Sequence, residues 1–256
     1  MEKNSGKTEW VTFPQVGAIP TPTYHGHLPA PWLTGNHPKV FGVWQSAEMV
    51  ARIWWVRGRM LVEGTMNILV IGAGALGSHI ILFGRNWEHS IRVCDMDRVE
   101  MKNTQAQFHT RMGSGRNKVQ ALQQAMQGMW GRSLEIIPHK LTTDNVREVM
   151  RDAELVIDCT DNIEARLVIQ GYVREHSTPC LHGGLSAEGL FGRIMWDEYF
   201  VPDAEGEPGQ ATCENGDALP FIGMVGAQMA MVIQLFLETG EKRSLQLTAT
   251  GVVRLT

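Results

Sequence analysis

Three short stretches of this chain carry residues able to do chemistry. The first is Asn67-Ile-Leu-Val-Ile-Gly72-Ala-Gly74-Ala-Leu-Gly77-Ser-His79. Five residues, Asn67 to Ile71, read as a buried strand, Gly72-x-Gly74-x-x-Gly77 as a tight turn, and Ala75 to Phe83 as a helix. In such a turn one glycine permits the reversal, one lets backbone N–H groups approach a phosphate, and one lets helix pack close to strand. The helix N-terminus adds unpaired donors and partial positive charge, which favour an anion. The second stretch is Asp95-Met-Asp97, which ends the next apolar run, Ile91 to Cys94. The third is Asp158-Cys-Thr-Asp161-Asn162, which ends the run from Glu154 to Cys159. A lone glycine turn also serves packing, but strand, turn, helix and a following acidic strand end together favour nucleotide binding.

The elements needed to position these residues follow from periodicity. Lys118 opens a helix whose apolar positions Val119, Leu122, Met126 and Met129 step by three and four. Leu134 to Pro138 is a third strand, and a short helix runs from Asp144, its expected N-cap, to Arg151. Strands alternating with helices imply βαβ units and a parallel sheet, whose ligands sit at the carboxyl ends of strands. The glycine turn, Asp95 and Asp161 all fall at such ends. Beyond them, Cys180 to Ser186 and Leu190 to Trp196 form two strands joined around Ala187-Glu-Gly189. Tyr199 to Gly216 is a polar loop, and Leu245 to Leu255 is strand-like. Ala218 to Leu237 has no charged residue. Its length suits a membrane span, but its place after a nucleotide-type fold makes it a buried helix, with Gly223 and Gly226 allowing close packing.

Before the glycine turn the pattern differs. Residues 1–44 hold six of the eleven prolines and three of the eight tryptophans, with no lasting period, so they form an extended N-terminal segment. The three histidines there, His25, His27 and His37, read as loop residues rather than metal ligands. Ser46 to Leu61 reads as a helix with Met49, Ile53, Val56 and Met60 on one stripe. The fold class is therefore α/β: a Rossmann-like, mostly parallel sheet with helices on both faces, a smaller antiparallel C-terminal part and a proline-rich extension. Residues 45–256 form the nucleotide-binding domain.

Composition excludes several classes. The 256 residues include 23 Lys plus Arg against 27 Asp plus Glu, and the net charge of −4 gives no nucleic-acid footprint. No membrane partner and no secretory leader is expected. Four widely spaced cysteines suggest reduced thiols in the cytoplasm. Cys94, Cys159 and Cys180 lie in or beside apolar runs and read as buried and inert. Cys213 sits in a polar loop; a thioester or acyl-disulfide role and a bystander thiol are both open.

Asp95-Met-Asp97-Arg-Val99-Glu-Met-Lys-Asn103-Thr-Gln-Ala-Gln107, then Lys118, then Asp158-Cys-Thr-Asp161-Asn162 closely resembles the ThiF/MoeB/HesA family of ubiquitin-activating-type adenylyltransferases. The likeness runs from about Met66 to Gly240. Thr212-Cys213-Glu-Asn-Gly216 and Pro220-Phe-Ile-Gly223-Met-Val-Gly226-Ala-Gln228 also look like that family's cysteine-bearing crossover and following helix. The resemblance implies ATP, its phosphates on Gly72, Gly74 and Gly77, and its ribose on Asp95, with Asp97 and Asn162 counted among the nucleotide-binding residues. It implies that Asn103, Gln107 and Lys118 line the phosphates and that Asp161 holds Mg²⁺. The partner it implies is a small ubiquitin-like or sulfur-carrier protein ending in glycine, activated by a homodimer with the long apolar helix near the seam. Attack of a carboxylate on an α-phosphate sets anion against anion, so positioning and a fixed cation such as Lys118 are what catalysis requires.

Two departures stand out. The family's arginine before its glutamine is here Ala106, so Arg111, Arg116 or an arginine of a partner chain must supply that charge, or the chain only binds ATP and a ubiquitin-like partner. The usual Cys-x-x-Cys zinc pairs are also missing. A nicotinamide-dependent oxidoreductase would use the same turn and Asp95 but gives Lys118 and Asp161-Asn162 no role. None of Tyr24, Tyr172 and Tyr199 has a lysine four residues on. Adenylation of a peptide or a modified tRNA remains a further alternative.

Overall fold

The computed structural model describes residues 52–56, 59–186, 188–202 and 216–255, with side chains from residue 64 onward. An eight-stranded sheet has the order β10-β9-β8-β7-β6-β3-β4-β5. Strands β3 (Asn67–Ile71), β4 (Ser90–Cys94), β5 (Glu135–Ile137), β6 (Leu155–Asp158) and β7 (Cys180–Leu185) are parallel. Strands β8 (Phe191–Trp196), β9 (Ser244–Thr248) and β10 (Gly251–Leu255) extend it antiparallel from β7. The expected fold class is therefore the observed one, including the smaller antiparallel part.

Side-chain alternation along β3 sets the two helical layers. Ile68 and Val70 face α1 (Ala75–Phe83), α2 (Lys118–Trp130) and α5 (Leu219–Thr239), through Ile80, Leu122 and Val225 among others. Leu69 and Ile71 face the other way, toward α3 (Val146–Val149) and α4 (Ile163–His176), through Val149, Ile169 and Val173. A strand buried on both faces needs the near-continuous apolar run that Asn67–Ile71 supplies. From β3 the chain moves outward to β4 and β5, then crosses back to β6 on the other side. The ends of β3 and β6 thus bound the crevice where strand order reverses, the usual ligand position in such sheets.

Helix α5 buries Phe221, Ile222, Val225, Met229, Val232, Ile233 and Phe236, so its apolar length serves the core. Three elements differ from the sequence reading. Residues 52–56 and 59–63 are not helical: they pair as an antiparallel hairpin, β1 and β2, with Arg52 opposite Glu63 and Val56 opposite Arg59. β-Branched and aromatic residues on either side of Arg57-Gly58 make a better hairpin than a helix; residues 46–51 lie outside the described part. The C-terminal strand pattern is a hairpin, split at Ala249-Thr250 into β9 and β10. The short helix spans only Val146–Val149, with Asn145 rather than Asp144 at its N-cap position. Asn145 Oδ1 accepts from Thr142 N–H, outside the helix. The segment 1–44 and the loop with Cys213 also lie outside the described residues.

Candidate functional site

The glycine turn is fixed by what a side chain would meet. Gly72 has φ +94, and a Cβ there would lie 2.7 Å from Cys159 O at the end of β6. A Cβ on Gly77 would lie 1.8 Å from Gly72 O, so the first turn of α1 packs against the loop backbone only because that atom is missing. Gly74 is different: nothing lies within 4 Å of its would-be Cβ. Helix α1 starts at that open place with no side-chain cap and no acidic residue in its first turn. Its first N–H groups are therefore directed at space, which suits a phosphate.

The acidic strand end closes the turn from the side. Asp95 Oδ2 accepts from Ala73 N–H (2.7 Å) and Oδ1 from Asp97 N–H (2.8 Å). Burial pushes its carboxyl above the ordinary range, against the pull of Lys118 and the two backbone donors. From beneath, His109 Nε2 lies 2.8 Å from Ala73 O. A carbonyl only accepts, so Nε2 carries the ring proton; burial holds the ring neutral, with its pKa lowered to about 4. Ser78 Oγ accepts from Phe108 N–H (2.9 Å), tying α1 to the same segment.

Lys118 is a cation drawn into this crevice. It is 8% exposed, and its ammonium donates to Asp97 Oδ2 at 2.9 Å. Burial alone would push it down, but Asp95, Asp97 and Asp161 together more than offset this and raise it above its ordinary value. Lys118 thus stays charged, and Asp161, exposed at the end of β6, acts on it electrostatically. Asn117 sets where α2 begins: its side chain accepts from Val119 N–H and donates to Asp95 O.

The remaining expected site residues divide. Asn103 is buried and its Oδ1 accepts from Glu100 N–H (2.9 Å), shaping the 3₁₀ turn Met101–Gln105; Gln107 is buried beside it. Asn162 is the N-cap of α4, its Oδ1 accepting from Ala165 N–H (2.8 Å), and so has a structural task of its own. Ala106 is fully buried, so a charge at this position would have to be paired. Arg116 is turned onto Gln124 of α2. Arg111 is exposed at the start of the 3₁₀ turn Arg111–Gly113 and makes no ion pair or side-chain hydrogen bond with the described residues. Cys94 and Cys180 are buried free thiols and Cys159 is half-buried. Burial raises all three, Cys94 to about 12, which fits inert thiols.

Sequence reading gave no role to Arg166, His109 or His182. Arg166 Nη2 donates to Thr160 O (2.7 Å) and holds the turn before Asp161. His182 is buried in β7 between two carboxylates. The one signal for His182 was a polar residue inside an apolar strand, which demands a partner but does not name one.

The crevice fits a nucleotide triphosphate with a divalent cation. An open glycine cradle and an uncapped helix would suit the phosphates, and Lys118 would add one fixed positive charge. Asp161, exposed to solvent, offers a hard oxygen of the kind Mg²⁺ takes; Mg²⁺ needs only one or two such carboxylates because water and phosphate complete its shell. Among the described residues no cluster of three or more His, Cys, Asp or Glu could hold a metal unaided.

The ThiF family model matches residues 60–249. The chain is 31% identical over 175 residues to the adenylyltransferase and sulfurtransferase UBA4 of Meyerozyma guilliermondii, covering 64% of this chain and 41% of that protein. It is 33% identical over 190 residues to the adenylyltransferase and sulfurtransferase MOCS3 of Culex quinquefasciatus, covering 69% and 42%. The chain spans about two-fifths of the length of these relatives. Among solved structures, E. coli MccB with ATP superposes with a TM-score of 0.60 at 14% identity, covering 75% of this chain and 63% of that one. E. coli tRNA N6-threonylcarbamoyladenosine dehydratase, TcdA, gives 0.51 at 18%, covering 65% and 84%. At these identities the likeness establishes the fold alone.

Proposed function

The chain belongs to the ThiF family, and from that premise we propose that it is an ATP-dependent adenylyltransferase. Its substrate in this reading is the C-terminal carboxylate, on glycine, of a small ubiquitin-like or sulfur-carrier protein. The observation that carries the reading is Lys118: a buried lysine kept charged by three carboxylates, beside an open glycine cradle. A nicotinamide-dependent oxidoreductase has no use for such a cation.

In the reaction a carboxylate oxygen of the carrier attacks the α-phosphorus. The bond from that phosphorus to the bridging oxygen breaks, and pyrophosphate leaves with the electron pair. The backbone around Gly74 and the first turn of α1 receive the phosphates, and the Lys118 ammonium stabilises the charge developing at the α-phosphate. Asp95 takes the ribose hydroxyls on the lone pairs its two backbone donors leave over. Asp161 would hold Mg²⁺, which would supply positive charge for the departing pyrophosphate. Arg111, exposed and uncommitted, supplies the charge missing at Ala106. A thiol or sulfide then displaces AMP from the acyl carbon; Cys213 is a candidate for that thiol.

Two further parts of the reading are supported by surface and thiol chemistry. The outer side of α5 is uncharged from Leu219 to Leu235, with Met231 63% exposed and Phe83 of α1 exposed beside Gly226. That stripe supports a homodimer. Three free cysteines support a reducing, cytoplasmic setting. The test is pyrophosphate exchange into ATP with a carrier ending in Gly-Gly supplied, together with calorimetry. Carrier-dependent exchange and Mg-ATP binding without NAD binding are expected; NAD binding without ATP binding would overturn the proposal.

A further inference from the structure

Behind the turn that presents Asp161 lies a buried polar cluster that the chemistry above leaves unused. His182 is 1% exposed in β7. Its Nδ1 lies 2.7 Å from Asp158 Oδ2 at the end of β6, and its Nε2 lies 3.1 Å from Asp197 Oδ1. Asp158 uses its other oxygen to accept from Thr160 N–H (2.9 Å) and Thr160 Oγ1 (2.7 Å). It therefore shapes the Cys159-Thr160 turn that ends at Asp161. Asp197 also accepts from Gln170 Nε2 (2.9 Å) and Arg174 Nε (2.8 Å) of α4. Burial pushes Asp197 up, but the bonds from Arg174, Gln170 and His182 outweigh it and hold its carboxyl below the ordinary value. Gln170 and Arg174 also donate to Phe200 O, and the Phe200 ring stacks on His182 with centroids 4.0 Å apart and planes 7° from parallel.

A carboxylate oxygen accepts and does not donate, so each ring nitrogen of His182 must bring its own hydrogen. The geometry thus places a donor at Nδ1 toward Asp158 and a donor at Nε2 toward Asp197. We propose that His182 is a positioning residue for Asp161: its ring, a donor at both nitrogens, bridges Asp158 and Asp197, and so ties the Asp161 turn to the Phe200 segment. The other groups facing the ring are Cys180, whose sulfur lies 3.5 Å from Nε2, and Arg166, 4.0 Å from Asp158 Oδ2 and over the Phe200 ring. Loss of one ring proton turns a lone pair toward a carboxylate in a dry setting, and the bridge opens on that side.

The proposal rests on the adenylation reading only for its activity arm; its structural arm does not. Nitrogen-15 spectra of histidine-labelled free protein are expected to show both His182 nitrogens protonated at neutral pH. As the ring loses its second proton, the amides of Thr160 and Phe200 should shift with the same midpoint, and in His182→Gln that step should vanish. A neutral ring at neutral pH, or a titration that leaves the Thr160 amide unmoved, overturns the proposal. In the activity arm, His182→Asn keeps a donor toward Asp158 and His182→Gln keeps one toward Asp197. The Mg²⁺ concentration for half-maximal pyrophosphate exchange should rise roughly 10- to 100-fold in the glutamine variant, the range for lost support behind a metal ligand, and much less in the asparagine variant. Equal loss in both variants counts against positioning through Asp158. A wild-type protein that exchanges no pyrophosphate refutes the activation reading, while the coupled amide shifts still decide the role of His182.

Discussion

Helices α1 and α4 both begin at strand carboxyl ends on the crevice, yet they treat their N-termini in opposite ways. Helix α4 caps itself: Asn162 accepts from Ala165 N–H. Helix α1 has no such cap, and Gly74 before it faces open space. A helix end left without a partner costs stability unless solvent or a ligand completes it. Of the two ends, the α1 end is the one left without a side-chain cap, which suits the anion of the adenylation reading, and Lys118 stands with it.

The largest way to break this contrast is to remove the cation. Lys118→Met should lower pyrophosphate exchange about 1,000-fold or more, the scale seen when a cation on a transferred phosphoryl group is lost. Circular dichroism should stay unchanged; near-normal exchange would show that Lys118 does not face the α-phosphate. Next come the glycines. Gly77→Ala should destabilise the protein by about 3 kcal/mol or more in denaturant titration, since its Cβ meets backbone and cannot be accommodated by a side-chain shift. Gly74→Ala, with free space and an ordinary φ of −81, should leave stability intact yet weaken Mg-ATP binding about tenfold, or 1.4 kcal/mol. Unaltered ATP affinity in that variant would remove the phosphates from the cradle.

Acid should loosen the α1 side selectively. His109 holds Ala73 O as a neutral ring, with a folded pKa of about 4 against 6.5 unfolded. Below 6.5 the unfolded chain binds the proton that the folded chain refuses. The stability is thus present above 6.5 and lost as pH falls toward 4, by roughly 3 kcal/mol in all. His109→Gln keeps a donor for Ala73 O and should flatten that part of the pH–stability curve; an unchanged slope would contradict it. The smallest effect belongs to α4: Asn162→Ala should cost about 1 kcal/mol of stability as a lost cap and leave Mg-ATP affinity within error. A large loss of ATP affinity would restore Asn162 as a nucleotide ligand.

How far the molecule was legible in its sequence depended on whether the cause was local. Asn67–Ile71, the turn after it and α1 came out at their true boundaries, because one apolar run and three glycines decide them within a few residues. Lys118 at the start of α2 was equally plain, since Asn117 caps beside it. The β1–β2 hairpin was misread because four apolar residues happened to fall at helical spacing, while the pairing partner lay across a two-residue link. His182 gave no periodic signal at all: its meaning comes from Asp158, 24 residues away, and Asp197, 15 away. Ala106 reads from the sequence as a position without the expected charge; that it is also buried is decided by packing and is not written in the sequence around it.

The bond between Lys118 and Asp97 has one more consequence. Asp97 is a tethered rival for any anion that reaches the lysine, already in place at 2.9 Å and at an effective concentration on the order of millimolar or above. A solitary phosphate or sulfate would bring a single contact to that contest. In the adenylation reading a triphosphate held at the glycine cradle and the ribose end would itself be tethered and compete on equal terms, so that Asp97 would filter which anions reach Lys118.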